Sequence, residues 1–247
     1  MAKSTELLLR QYAEKYETAS FLKDDPSRFM HLVKGFRNQE AMAFIASSLS
    51  YGSRPLFSKK IQMILDWAGG DVDEWVRTGQ YEEHFKKGDT SCFYRLYTHD
   101  TMNRFFRAYQ QLLLTYGSLG DYVQKHATDG FTAVAAICQY FNGGVTSKII
   151  PKNTQSACKR VCLFLRWMVR SNSPVDLGLW ADFIDRRTLI MPLDTHVLRQ
   201  STRLGLLKSK TATMATARRL TATLAATFPD DPLKGDYALF GYGINQE

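Results

Sequence analysis

The segment "SACKRVCLFLRWMVR", residues 156–170, is the feature that most limits how this chain can fold. Its apolar residues surround most of a helix, so other parts of the fold must cover that helix. They are Val161, Leu163, Phe164, Leu165, Trp167, Met168 and Val169. Helix-forming residues dominate the rest of the chain, and alternating β-branched runs are scarce. We therefore predict an all-α protein built around a buried helix.

The composition indicates a globular chain with no resident metal or cofactor. At 247 residues, with 45% hydrophobic residues, it can form one helical domain (1–247), either with a single core or with two lobes and a cleft between them. The N-terminal sequence has no long apolar core, so we expect neither a signal peptide nor a membrane span. The four cysteines form no C-x-x-C pair, which argues against zinc and iron–sulfur sites and favours reduced thiols in the cytoplasm. The oligomeric state stays open.

Caps and breakers divide the chain into helices. We predict helices over 4–18 and 26–36, then one from Asn38 to about Tyr51, one from Pro55 to the Gly69-Gly70 pair, and one from Asp100 to Tyr116. Asn38 and Asp100 are the predicted N-caps of their helices. Two further helices cover "SLGDYVQKHA" and "GFTAVAAICQYFNG", and residues 71–99 read as loops around short helices.

The turn "YGSRP" between two of these helices is a candidate binding feature. Gly52 permits unusual backbone angles, and Ser53 and Arg54 can hydrogen-bond a phosphate or an extruded group. The alternative is an ordinary interhelical turn.

The formal net charge of +8 and the pI near 9.3 indicate either a polyanionic partner or a solvated basic surface. Lys208 and Lys210 are candidates for contacts with a nucleic-acid backbone.

Asp194 lies in "LIMPLDTHVLRQSTRLGLL", between an apolar run and a helix that begins at Thr195. It either only caps that helix or also serves as a catalytic or cation-stabilising group. Lys159, near the start of the buried helix, lies where the helix dipole opposes positive charge, which favours a nucleophilic amine. Their separation of 35 positions leaves room for both side chains to share a cleft, or for a surface lysine and a simple cap.

"PLDTHVLRQSTRLGLL" resembles a segment of the helix-hairpin-helix DNA glycosylases, the superfamily of endonuclease III and the oxidised-guanine glycosylases. The resemblance implies a two-lobed helical fold, with Asp194 as the catalytic carboxylate and Lys159 as the Schiff-base nucleophile. "EAMAFIASSLSYGSR" is similar to the buried helix whose following turn meets the lesion. One departure is "IIPKNTQSACK", which lacks the glycine-rich turn that grips DNA phosphate in that superfamily.

The strings "ACKR", "FLRWMVR", "VDLGLW", "LIMPLDTH", "RLGLL" and "DPLKGDYALFGYG" resemble, in this order, a bacterial family of unknown function numbered 2400 among such domains. This resemblance runs over nearly the whole chain. That family has no settled activity to carry over.

The glycosylase resemblance implies base excision from duplex DNA by a glycosylase and AP lyase, with cytoplasmic or nucleoid localisation. The expected substrate contacts are Ser53, Arg54, Arg160 and His196, although His196 can equally be a helix-face residue packed against a neighbour. Side chains of Lys152, Asn153, Thr154 and Ser156 would replace the glycine-rich turn as DNA contacts, alongside Lys208 and Lys210. One alternative is a noncatalytic nucleic-acid-binding or partner-binding protein that retains the fold, and another is a small-molecule enzyme that uses the same cleft.

Overall fold

The computed structural model describes residues 2–142 and 148–245, and these are mostly helical. The prediction of a helical protein is confirmed. One small antiparallel hairpin, β1 (Cys92–Tyr94) and β2 (Tyr97–Thr98), lies within the segment predicted as loops. Its strands are too short to show an alternating pattern in the sequence. Among the described residues, no helix is both long and apolar enough to cross a membrane.

The α-helices are named in chain order. They are α1 (Lys3–Tyr16), α2 (Arg28–His31), α3 (Phe36–Leu49), α4 (Arg54–Trp67), α5 (Val72–Arg77), α6 (His99–Tyr116), α7 (Leu119–His126), α8 (Gly130–Asn142), α9 (Lys159–Val169), α10 (Thr195–Arg203), α11 (Met214–Ala225) and α12 (Lys234–Ile244). Short 3₁₀ turns cover Ala19–Lys23, Gln80–Glu83 and Arg186–Thr188.

The chain divides into two compact units. Among the described residues, the first unit comprises 2–25, 128–134 and 153–245, and the second comprises 26–127, 135–142 and 148–152. The chain passes between the units at four points, and one of them, between Val134 and Ala135, falls within α8. The cleft expected between two lobes stays a prediction.

The first unit is built around α9, as its apolar sequence requires. Phe164, Trp167 and Met168 are fully buried. In the same unit α12 packs against α1 and α10. The approach to α1 is close, since a Cβ added to Gly241 would lie 2.2 Å from the Tyr16 ring. This packing fixes α10 beside α12, and the start of α10 carries the candidate site.

A buried network of ion pairs crosses the first unit. Arg166 contacts Asp236 and lies 3.3 Å from Asp176. Arg170 contacts Asp176 and bonds Asp231 through Nε at 2.9 Å. Burial alone would lower the pKa of both arginines, but the nearby carboxylates, Asp176 foremost, raise it overall. Both guanidinium groups therefore stay charged inside the protein.

The second unit has an aromatic core, and its buried carboxylates include Glu40. Phe44 stacks or tilts against Phe105, Tyr109 and Phe141. Glu40, on α3, accepts hydrogen bonds from the first two backbone N–H groups of α7, at 2.8 and 3.0 Å. A side chain distant in sequence thus caps this helix.

Two predicted helix starts in the second unit are wrong. The predicted helix over 26–36 is helical only in α2, and Gly35, with φ +88°, precedes α3. Asn38 lies inside α3 instead of capping it, and its side-chain oxygen accepts from the Asp73 backbone N–H at 2.9 Å. The N-cap of α6 is Thr98, whose hydroxyl accepts from Thr101 N, whereas Asp100 lies in the first turn. In both cases a polar side chain that could cap a helix locally binds elsewhere, since Asp100 accepts a hydrogen bond from the Gly88 backbone N–H at 2.8 Å.

Two other boundaries differ from the prediction. The buried helix α9 begins at Lys159, three residues later than predicted, because Cys158 adopts the left-handed conformation with φ +46°. The helix predicted over "GFTAVAAICQYFNG" is α8, and its last predicted residue, Gly143, lies outside the described residues.

Candidate active site

Asp194 is the N-cap of α10, and its two carboxylate oxygens have different partners. Oδ1 accepts a hydrogen bond from the Val197 backbone N–H at 2.9 Å. Oδ2 lies 3.4 Å from the Nζ atom of Lys159. The first contact is what a helix cap requires, because it pairs an N–H group that has no partner within the helix. The second adds an ion pair to the cap.

Lys159 is the first residue of α9, so the pair joins the beginnings of two helices. Cys158, which precedes it, is almost fully buried, and its thiol lies 3.3 Å from the Asn153 carbonyl oxygen and 3.4 Å from that of Ser156. These contacts hold the turn that leads into Lys159. The structure thus brings together the two residues predicted as catalytic.

The pair is accessible from solvent. The side chains of Lys159 and Asp194 are 34% and 37% exposed. A substrate can therefore reach both groups without rearrangement of the core. At this exposure the ion pair itself contributes only about 0–1 kcal/mol to stability.

A third ionisable residue, Asp236, is influenced by the charges of this pair, and the sequence analysis did not single it out. Its side chain, on α12, is only 14% exposed and contacts Arg166. Burial raises the pKa of Asp236, and the negative charge of Asp194 raises it further. The positive charges of Arg166 and Lys159 lower it, but the net result is a raised pKa. The sequence signal available was an acidic residue in the first turn of the last helix.

The predicted DNA contacts before α9 form an irregular turn. Asn153 and Ser156 are exposed and Thr154 is half-buried, while Lys152 is the last residue of the second unit. The Asn153 side chain accepts from Gln155 N at 3.0 Å, and Ser156 pairs with Thr213 in an isolated antiparallel bridge. Side chains and backbone pairing thus shape a turn that contains no glycine. Phosphate binding by these residues stays a prediction.

His196 packs against α12. A Cβ added at Gly243 would lie 2.4 Å from His196 Nε2, so the ring edge lies directly on the backbone of α12. Its Nδ1 is 3.3 Å from an Arg199 nitrogen. These contacts are those expected of a helix-face histidine packed against a neighbour, and substrate contact by His196 stays a prediction.

The remaining predicted site residues lie elsewhere. Arg160 is the second residue of α9 and is half-buried. Ser53 and Arg54 are exposed at the start of α4 in the second unit. Lys208 and Lys210 are exposed in the segment after α10. In residues 2–142 and 148–245, no group of three His, Cys, Asp or Glu side chains could hold a metal ion.

An amine beside a carboxylate can perform two kinds of step. The amine can attack an electrophilic carbon, and the carboxylate can accept its proton or stabilise a developing positive charge. The 3.4 Å between the amine and the carboxylate suits both kinds of step, because proton transfer and charge stabilisation need near contact.

A family model described as "Protein of unknown function (DUF2400)" matches residues 25–245. This chain belongs to the DUF2400 family. The close resemblance expected from the sequence is therefore confirmed. No curated protein and no solved structure matches the chain. Lys159, Asp194 and Asp236 all lie within the range matched by the DUF2400 family, so the candidate site belongs to the part of the chain that the family defines.

Proposed function

We propose that this DUF2400 protein is a DNA glycosylase and AP lyase of the helix-hairpin-helix type. It would excise a damaged base, with oxidised guanine as the first candidate, from duplex DNA. The observation that carries the proposal is the 3.4 Å contact between Lys159 Nζ and Asp194 Oδ2, at the starts of two helices. The motif "PLDTH" and the buried lysine helix supply the resemblance to that superfamily.

The reaction would start from a base extruded from the duplex, which costs least for a damaged or mispaired base. Lys159, as the neutral amine, would attack C1′ of the sugar while the bond between C1′ and the base breaks. The base leaves with the electron pair of that bond and takes up a proton. Asp194 would stabilise the positive charge that develops on the sugar and accept the proton released by the amine.

Lyase chemistry would follow from the bond between Lys159 and C1′. Opening of the sugar ring transfers the C1′–O4′ electron pair to O4′, which is protonated, and leaves an imine. Loss of a proton from C2′ then expels the 3′ phosphate by cleavage of the C3′–O3′ bond. Water hydrolyses the imine and releases the lysine. Every step uses groups of this chain, the DNA and water.

The orientation of Asp194 supports this assignment of roles. The Val197 N–H fixes Oδ1, so Oδ2 is held towards Lys159 and is not free to rotate into solvent. An oriented charge stabilises a transition state better than a mobile one, because no reorganisation is needed during the reaction. We assign the substrate contacts to Ser53, Arg54, Arg160 and His196, and the DNA contacts before α9 to Lys152, Asn153, Thr154 and Ser156, as part of the same proposal.

Borohydride trapping tests the proposal, because it reduces an imine to a stable covalent adduct. The substrates are duplexes that carry an abasic site or oxidised guanine. We expect an adduct with the wild type, none with Lys159→Ala, and a rate of adduct formation about 10²- to 10⁴-fold lower with Asp194→Asn. Lys3→Ala, an exposed lysine on α1, is the matched control and should trap as the wild type does.

The outcomes separate the alternatives. An adduct on the abasic duplex alone would indicate a simple lyase or a glycosylase for another lesion. No adduct on either duplex, together with salt-sensitive DNA binding, would reject the enzyme and favour a noncatalytic nucleic-acid-binding protein that retains the fold. Loss of trapping in Lys3→Ala would show that the assay does not report on Lys159.

A further inference from the structure

The net positive charge of the chain is concentrated in one segment. Residues 195–229 contain no Asp or Glu and carry six Lys and Arg residues, which account for six of the eight net positive charges. These residues are Arg199, Arg203, Lys208, Lys210, Arg218 and Arg219. The segment starts directly after Asp194 and contains α10 and α11. Within this run no carboxylate alternates with the cations in the sequence.

Part of this segment forms a groove with a volume of about 620 Å³. Three cations line it, Lys208, Lys210 and Arg219, all on exposed residues. No carboxylate lines it among the described residues. Its apolar part includes Leu206 and Leu207, which are more than nine-tenths buried. Cations beside a low-dielectric wall create a stronger positive potential than cations on an open surface.

The hydroxyl groups in the groove are already engaged. Ser209 Oγ donates to the Thr211 carbonyl at 3.2 Å, and Thr223 Oγ1 donates to the Arg219 carbonyl at 3.0 Å. The free donors towards a ligand are therefore the ammonium and guanidinium groups. These groups bind phosphate oxygens, and within the part of the chain that the structure describes no aromatic or amide side chain lines the groove to recognise a base.

We infer that this groove binds the sugar–phosphate backbone of a nucleic-acid strand, without regard to sequence. The inference deepens the proposed function and rests on it for the choice of DNA as ligand. It adds Arg219 to the predicted backbone contacts Lys208 and Lys210, and it locates a second DNA-contact surface after Asp194 in addition to the turn before α9.

A membrane surface is the competing source of phosphate groups, and the segment does not suit it. Stable binding of a helix to a lipid surface needs a large exposed apolar face beside the cations. The large apolar residues that the described structure exposes, such as Leu7, Leu32 and Leu96, all lie outside residues 195–229. Binding of a nucleic-acid backbone needs only the cations, because they neutralise its phosphate groups.

The salt dependence of DNA binding tests the inference. The probe is a fluorescein-labelled duplex without a lesion, and its affinity is measured by anisotropy over a range of salt concentrations. We expect Lys208→Gln/Lys210→Gln to weaken binding about tenfold and to reduce the slope of log K against log salt by about two, roughly one for each phosphate group that is no longer neutralised. Arg219→Gln should reduce the slope by about one more.

A charge-matched control separates the groove from general surface charge. Lys3→Gln/Lys15→Gln removes two exposed lysines of the same unit outside the groove and should change the slope by less than about one. Equal changes in both double variants would overturn the inference, as would an unaltered slope in the groove variant. Stronger binding of the wild type to phosphatidylserine vesicles than to DNA, with the same lysine dependence, would also overturn it.

Borohydride trapping distinguishes failure of this inference from failure of the proposed function. Groove-dependent DNA binding without trapping by the wild type would support the groove and reject the glycosylase. Trapping by the wild type with a groove variant of unchanged affinity and slope would support the glycosylase and reject the groove. Each result is decided by a different measurement on the same full chain.

Discussion

At the scale of single residues, the carboxylate of Asp194 combines a structural and a chemical contact. Oδ1 caps α10 and Oδ2 faces Lys159. The two contacts place different demands on the side chain, because capping needs only a hydrogen-bond acceptor, whereas the chemistry proposed for Asp194 needs a negative charge. Substitutions can therefore separate them.

We expect Asp194→Asn to keep the stability of the wild type to within a few tenths of a kcal/mol and Asp194→Ala to lose about 1 kcal/mol, because asparagine caps a helix as well as aspartate does and alanine does not. Urea unfolding of the three proteins measures this. A loss in Asp194→Asn as large as that in Asp194→Ala would show that the contact with Lys159, and not the cap, stabilises this end of α10.

At the scale of elements, close helix packing depends on small residues in α12. Gly241 lies against the Tyr16 ring of α1. That ring packs edge-on against Phe240, and its hydroxyl accepts a hydrogen bond from Asn245 at 2.7 Å, so it has little freedom to move aside. The contact between α1 and α12 is therefore sensitive to one added methyl group.

Gly241→Ala should lower the free energy of unfolding by about 1–3 kcal/mol, since the added carbon overpacks the contact. The control is a double-mutant cycle with Tyr16→Leu, measured by urea unfolding. In the Tyr16→Leu background the same substitution should cost much less. An equal cost in both backgrounds would locate the effect in α12 itself and contradict the steric argument.

The sequence predicts the presence of helices better than it predicts the residues at which they begin and end. The apolar surface of residues 156–170 requires a buried helix and predicts α9, and the acceptor at Asp194 predicts the start of α10. Some ends also involve partners that are distant in the chain: Asn38 binds Asp73, and Glu40 binds the first two N–H groups of α7 beside the local N-cap Ser118. The sequence did not indicate Asp236 for the same reason, because the residue that it contacts, Arg166, is far from it in the sequence.

At the scale of the whole molecule, the first unit depends on a network of buried charges. Arg170 is 1% exposed and binds three carboxylates, Glu17 after α1, Asp176 after α9 and Asp231 before α12. Widely separated parts of the sequence therefore meet at one guanidinium group. Without it, Glu17 and Asp231 would lose this cation, and Asp176 would keep Arg166.

Arg170→Met should destabilise the protein by about 3–5 kcal/mol, because it keeps an apolar stem of similar length and leaves buried carboxylates without their cation. Arg170→Lys should lose less, since it keeps the charge but not the planar donor geometry. Thermal and urea unfolding give the two values. A near-neutral effect of Arg170→Met would mean that Arg166 alone can satisfy these carboxylates.

The double role of Asp194 also sets a timescale for the candidate site. The ends of helices open and close far faster than whole proteins unfold. If the first turn of α10 opens, the Val197 N–H releases Oδ1, and nothing else described at this carboxylate fixes its direction towards Lys159. The lifetime of the aligned amine and carboxylate is thus the lifetime of a single helical turn.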